Sequence, residues 1–135
     1  KGNAPIALGR NAAAFARATR VIVLGSNGQV WEYNPNQDSW QQRTTYPGRL
    51  GQGYPIAEVI GKKAYLGLFR ATQELWELDL ETFKWKSKNQ MVGLPQSITS
   101  GHFQYNGSIY FLRTPESTVP GTLTMELYKF DPDAI

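Results

Sequence analysis

Trp31-Glu32-Tyr33-Asn34-Pro35-Asn36-Gln37-Asp38-Ser39-Trp40 and Trp76-Glu77-Leu78-Asp79-Leu80-Glu81-Thr82-Phe83-Lys84-Trp85 are two versions of one decapeptide. The step from Trp31 to Trp76 and from Trp40 to Trp85 is the same, 45 residues. Tyr128-Lys129-Phe130-Asp131-Pro132-Asp133 repeats the first half again, 52 residues after the second copy. A recurrence of about 20–50 residues marks a protein built from stacked supersecondary units.

An alternating apolar run precedes each copy: Val21-Ile22-Val23-Leu24-Gly25, Ala64-Tyr65-Leu66-Gly67-Leu68 and Ile109-Tyr110-Phe111-Leu112, with Tyr65 and Tyr110 in corresponding places. Gly61-Lys62 and Asn106-Gly107 stand before the second and third runs, and Asn-Gly between extended segments is a strong hairpin signal because both central residues take positive φ. Gly53-Tyr54 and Gly101-His102 open an earlier strand, while Pro5, Pro47 and Pro95 punctuate the loops between units. Each unit therefore reads as four antiparallel strands. In the second they are expected at Pro55–Ile60, Lys63–Phe69, Leu75–Leu80 and Phe83–Lys88. No segment reads as a helix. Ala12–Ala16 has helical propensity, but its place in the repeat assigns it to a first strand. The units are expected at about 10–43, 54–88 and, incomplete, 101–135.

Composition excludes several classes. The 135 residues carry a formal charge of +3, are 41% hydrophobic and 19% charged, and so lack the composition of a disordered chain. There is no Cys and one His, which removes disulfide scaffolds, thiol catalysis and any metal site needing several histidines within one copy. No apolar run approaches the roughly 18 residues of a membrane span, and the N-terminal residues hold no signal-peptide core. The absence of an initiator Met suggests an excised or mature piece.

Taken together, Tyr33-Asn34-Pro35 through Trp40, Leu78-Asp79-Leu80 through Trp85, and Phe130-Asp131-Pro132 resemble the Tyr-Asp-Pro-turn-Trp element of the Kelch repeat. Pro5, Arg10 and Ala13, and Pro47, Arg49 and Tyr54, resemble its opening. Its double glycine is reduced to Gly25-Ser26 and Gly67-Leu68 and lost at Leu112-Arg113, so the resemblance is to a divergent member. It implies an all-β chain that is a segment, residues 1–135, of a β-propeller with four-stranded antiparallel blades, about two and a half of them here. Propellers close with about 4–8 blades, so a fragment of a closed ring, or copies that assemble into one, is expected. Trp31, Trp40, Tyr65, Trp76, Trp85, Tyr110 and Tyr128 are the structural signature. Trp40 and Trp85 would each bury about 200 Å² between blades.

Antiparallel connectivity puts the tight turns at one end of every unit and the long, dissimilar loops at the other. Binding residues tend to occupy such loops, and in the resembled family that end recruits partners. Arg49, Tyr54, Arg70, Gln96, His102 and Arg113 are the candidates, because guanidinium, phenol and amide groups suit carboxylate, peptide or sugar recognition. Arg49 and His102 also match positions that serve structure in the family. Lys84, Lys86 and Lys88 share one strand face, where they would contact phosphates or acidic lipid, or shield the blade's outer edge from other sheets; edge protection is favoured.

No nucleophile elbow, phosphate loop, zinc-protease helix or calcium loop is present. The expected function is therefore a noncatalytic module binding a protein partner or the remaining blades, with no catalytic residue, cofactor or metal. Two alternatives stay open: a glycan-binding surface propeller, suggested by abundant Trp, Tyr, Asn and Gln, and part of an enzyme centred in other blades. No nucleic-acid partner is expected, because the sequence has no recognition helix, zinc pattern or repeated basic stripe. The loop composition suits a bacterial envelope or secreted protein, the preferred location, and also the cytoplasm.

Overall fold

In the computed structural model the described residues are 3–9, 12–51, 53, 55–70, 72–88, 97–115 and 125–133. They form three antiparallel sheets, and no helix occurs among them. The first contains β1 (Ala13–Arg17), β2 (Arg20–Leu24), β3 (Gln29–Asn34) and β4 (Ser39–Thr45) in that order. In the second, β5 (Ile56–Ile60), β6 (Lys63–Gly67), β7 (Leu75–Asp79) and β8 (Trp85–Ser87) repeat the arrangement. The third has β9 (Ser97–Tyr105), β10 (Ser108–Pro115) and β11 (Glu126–Phe130). Ala12–Ala16 lies mostly in β1, as its repeat position implied.

Turn chemistry explains the hairpins. Asn106 and Gly107 adopt φ of 49° and 77°, joining β9 to β10 with the left-handed pair that matches strand twist. The turn after β7 is held by the Asp79 carboxylate, whose Oδ1 accepts the Glu81 and Thr82 amides at 2.8 and 3.0 Å. Those backbone bonds hold the Asp79 carboxyl below its ordinary range. In the first unit Asn34 Oδ1 accepts the Asn36 amide at 3.0 Å.

All four strands of the second unit are shorter than expected, β5 and β7 by one residue and β6 and β8 by more. Strand β6 stops at Gly67 because Gly67 and Leu68, at φ of 142° and 51°, swing the chain away from the ladder. Phe83, at φ 56°, belongs to the preceding turn, so β8 begins only at Trp85.

The sheets stack face to face. Phe15, Ile22, Leu24 and Val30 of the first pack against Val59, Leu66, Leu78 and Trp85 of the second. On the opposite face of the second, Ile56, Tyr65 and Leu75 pack against Ile109, Phe111 and Phe130 of the third. Each fully buried aliphatic side chain contributes about 1.5–3 kcal/mol. First strands lie beside first strands, β1 by β5 and β5 by β9, so the stack has a common inner side.

Repeat positions keep their roles. Trp85 sits between the first two sheets, with Nε1 donating to Thr44 Oγ1 at 2.9 Å and its ring edge-on to Tyr46 at 5.6 Å. Trp40, its counterpart, lies on the other face of the first sheet, half-buried and tilted on Tyr33 at 4.8 Å. Trp31 shares that face, since it alternates with Val30. At the far end, Tyr110 occupies the position of Tyr65 and stacks on Phe103 at 5.2 Å. Phe103, Tyr105 and Leu127 there are 47%, 62% and 59% exposed. Among the described residues no fourth sheet covers either face.

Candidate functional site

The loops at one end of the stack are fitted closely to one another. A Cβ on Gly48 would lie 2.5 Å from Glu74 Oε2, and one on Gly51 would lie 2.5 Å from Phe69 Cβ. The loop following β4 is therefore seated on the loop following β6. Glu74 Oε2 accepts the Arg49 amide and Trp76 Nε1, both at 3.2 Å. The Arg70 amide donates to Gly53 O at 2.8 Å. These contacts bring Arg49 and Arg70, both exposed, onto adjoining loops. Beneath them Tyr46 is 4% exposed, with Phe69, Trp76 and Trp85 edge-on around its ring. Burial, with the Glu74 charge nearby, raises the Tyr46 phenol above its ordinary value.

The other candidates separate from that pair. Arg113 is 5% exposed, and its guanidinium donates to Leu68 O, Thr99 Oγ1 and Thr72 O at 3.3, 3.0 and 2.7 Å. It fastens the third sheet to the loop after β6. Burial lowers its pKa from the usual arginine value. His102 stands within β9, on the inner side, where Nδ1 lies 2.5 Å from Glu58 Oε1. Gln104 Nε2 donates to Glu58 Oε2 and Val59 O, each at 2.7 Å. Together they bridge the second and third sheets. Tyr54 and Gln96 lie outside the described residues.

A second polar cluster occupies the tight-turn end. The Glu77 carboxylate accepts Tyr65 Oη at 3.0 Å and pairs with Lys63 Nζ at 3.1 Å and Lys88 Nζ at 3.3 Å. Lys88 also donates to Pro132 O, in the turn after β11, at 3.1 Å. Burial alone would raise the Glu77 carboxyl, but the bonds from Lys63, Tyr65 and Lys88 outweigh it and hold the group below its ordinary value. Tyr65 is shifted upward, first by burial and then by its bond to Glu77. Lys88, whose side chain is 5% exposed, is thus an internal tie and not part of a solvent-facing edge with Lys84 and Lys86.

The first unit repeats this device. Glu32 pairs with Arg43 at 2.8 Å, and the Arg43 guanidinium lies 5.2 Å from the centre of the Phe83 ring in the turn between β7 and β8. In both units a cation on or just after the fourth strand holds a glutamate on the third and reaches a turn of the following unit. Sequence reasoning did not pair these residues, and it placed Lys88 on a protected edge. The available signal was a Glu directly after the first Trp of each decapeptide and a cation three places after the second.

Among the described residues no three His, Cys, Asp or Glu side chains gather as a metal site, and none of them forms a helix long and apolar enough to cross a membrane. No model of a known protein family matches the chain, and no curated protein sequence does. Solved structures do. The crystal structure of the N-terminal domain of Nup159 matches with a TM-score of 0.52 at 12% identity, over 88% of this chain and 30% of that one. A structure of S. cerevisiae Dbp5 L327V bound to Nup159, Gle1 H337R, IP6 and ADP matches with a TM-score of 0.50, again at 12% identity and over 88% and 30%. The chain spans about 30% of the length of these chains. The fold is that of a β-propeller segment.

Proposed function

We propose that this chain is part of a noncatalytic, Kelch-type propeller that binds a protein partner through its loop-rich end. The carrying observation is the seating of the loop after β4 on the loop after β6, which presents Arg49 and Arg70 from adjoining supports. Two guanidinium groups on such loops favour partners that offer carboxylates. The Kelch reading rests on the repeated Tyr-Asp-Pro-turn-Trp element. A structure of similar fold contains Dbp5 bound to Nup159 and Gle1, which puts such a fold within a protein assembly and is consistent with this role.

Selecting a random peptide library on the chain tests the proposal. Peptides rich in Asp and Glu are expected to emerge, and Arg49→Glu with Arg70→Glu is expected to weaken them by about tenfold or more, about 1.4 kcal/mol. Peptides that bind the double variant as well as the parent, while circular dichroism reports an unchanged fold, would overturn it.

A further inference from the structure

The two sheet interfaces provide an internal control, because the same place in the repeat is shut in one and open in the other. Between the first and second sheets, Arg20, Ile22, Glu32 and Leu80 enclose a space of only about 20 Å³. The corresponding Lys63, Tyr65, Glu77 and Pro132 border a groove of about 410 Å³ between the second and third sheets. Leu80 is 6% exposed and packs into the first core cluster. Pro132, in its place, is part-exposed and anchors Lys88 through its carbonyl. Among the described residues, Pro132 closes its crevice less than Leu80 closes the first.

Its walls are cationic. Lys62, Lys63, Lys86 and Lys88 face it against the carboxylates of Glu77 and Asp133. Lys88 is committed to Glu77 and Pro132; Lys62, paired with Glu81 at 3.2 Å, and Lys63, paired with Glu77 at 3.1 Å, keep side chains that are 70% and 47% exposed. Lys86 is exposed and forms no ion pair among the described residues. The volume falls within the roughly 300–1,000 Å³ of small-molecule sites. Among the described residues no arginine borders the groove, so they offer point-charge ammonium donors and not the planar fork that pairs with a single carboxylate.

We propose that this groove binds a small molecule bearing phosphate groups, held by Lys62, Lys63 and Lys86 at the opposite end of the sheets from Arg49 and Arg70. The bound oxygens replace water on the three ammonium groups, while Glu77 keeps Lys63 and Lys88 in position. Nothing in this site depends on the partner proposed for the loop end.

Isothermal titration with pyrophosphate is the test. The chain should show saturable one-site binding that weakens as sodium chloride is raised. Lys86→Glu should weaken it by about tenfold or more, and Lys86→Gln by a smaller factor. Arg20→Glu changes the net charge as much as Lys86→Glu but alters the closed crevice, and should leave binding intact. The thermal midpoint of Lys86→Gln, at an exposed site, should match the parent and separates lost binding from lost folding. Absence of saturable binding, equal weakening by Arg20→Glu, or citrate binding as tightly as pyrophosphate would each overturn the proposal.

Discussion

Leu68 O, Thr72 O and Thr99 Oγ1 converge on one guanidinium, and all three acceptors are taken up by Arg113 in a water-poor seam between sheets. Removing the cation while keeping the bulk takes this donor from Thr72 O and Thr99 Oγ1 and leaves Leu68 O with the Thr99 hydroxyl at 3.4 Å, a loss costing more than the net gain from making such bonds. Arg113→Met is expected to lower stability by about 3 kcal/mol, read as a shift in the urea midpoint at constant slope. A midpoint unchanged within error would show that the seam admits water. At this scale the sequence identified chemical types and not their employment. Arg113 and His102 were binding candidates by chemical type, yet Arg113 ends in a clamp and His102 in a bridge to Glu58. Both uses depend on which sheet lies opposite, and local spacing carries no information about that.

Strand ends are decided by single backbone positions. Gly67 and Gly107 both have positive φ, at 142° and 77°. Their surroundings differ: a Cβ on Gly67 would lie 2.4 Å from Glu74 O, whereas one on Gly107 meets nothing within 4 Å. Gly107→Ala should therefore cost about 1 kcal/mol, from conformation alone. Gly67→Ala should cost about 3 kcal/mol, because strain and overlap with backbone add. Equal losses in chemical denaturation would show that the loop after β6 yields.

The hairpins were legible in advance because Asn106-Gly107 and Gly61-Lys62 advertise their turns, and the alternating runs place Ile109, Phe111, Ala64 and Leu66 on one face. The early end of β6 was not legible, since Gly67-Leu68 continues the apolar pattern that the backbone abandons. The Glu32–Arg43 and Glu77–Lys88 ties escaped for a related reason. Charges eleven residues apart become neighbours only once the register of β3 with β4, or β7 with β8, is known.

Among the described residues, only the second sheet is covered on both faces by other sheets. In a stack where each unit touches its neighbours alone, stability is a sum of unit and interface terms, so the member with two interfaces opens last. Hydrogen exchange should leave the amides of β6 and β7 protected longest, with those of β2, β3 and β10 released earlier. Uniform exchange across all three sheets would indicate one cooperative block. The outermost surfaces are also unlike each other: Trp31, Tyr33 and Trp40 at one extreme, Phe103, Tyr110 and Leu127 at the other. Two molecules meeting through this unlike pair are related by no dyad, so each contact leaves one surface of either kind unused. Such an assembly has polarity, and stops growing only if its successive rotations return to the starting molecule.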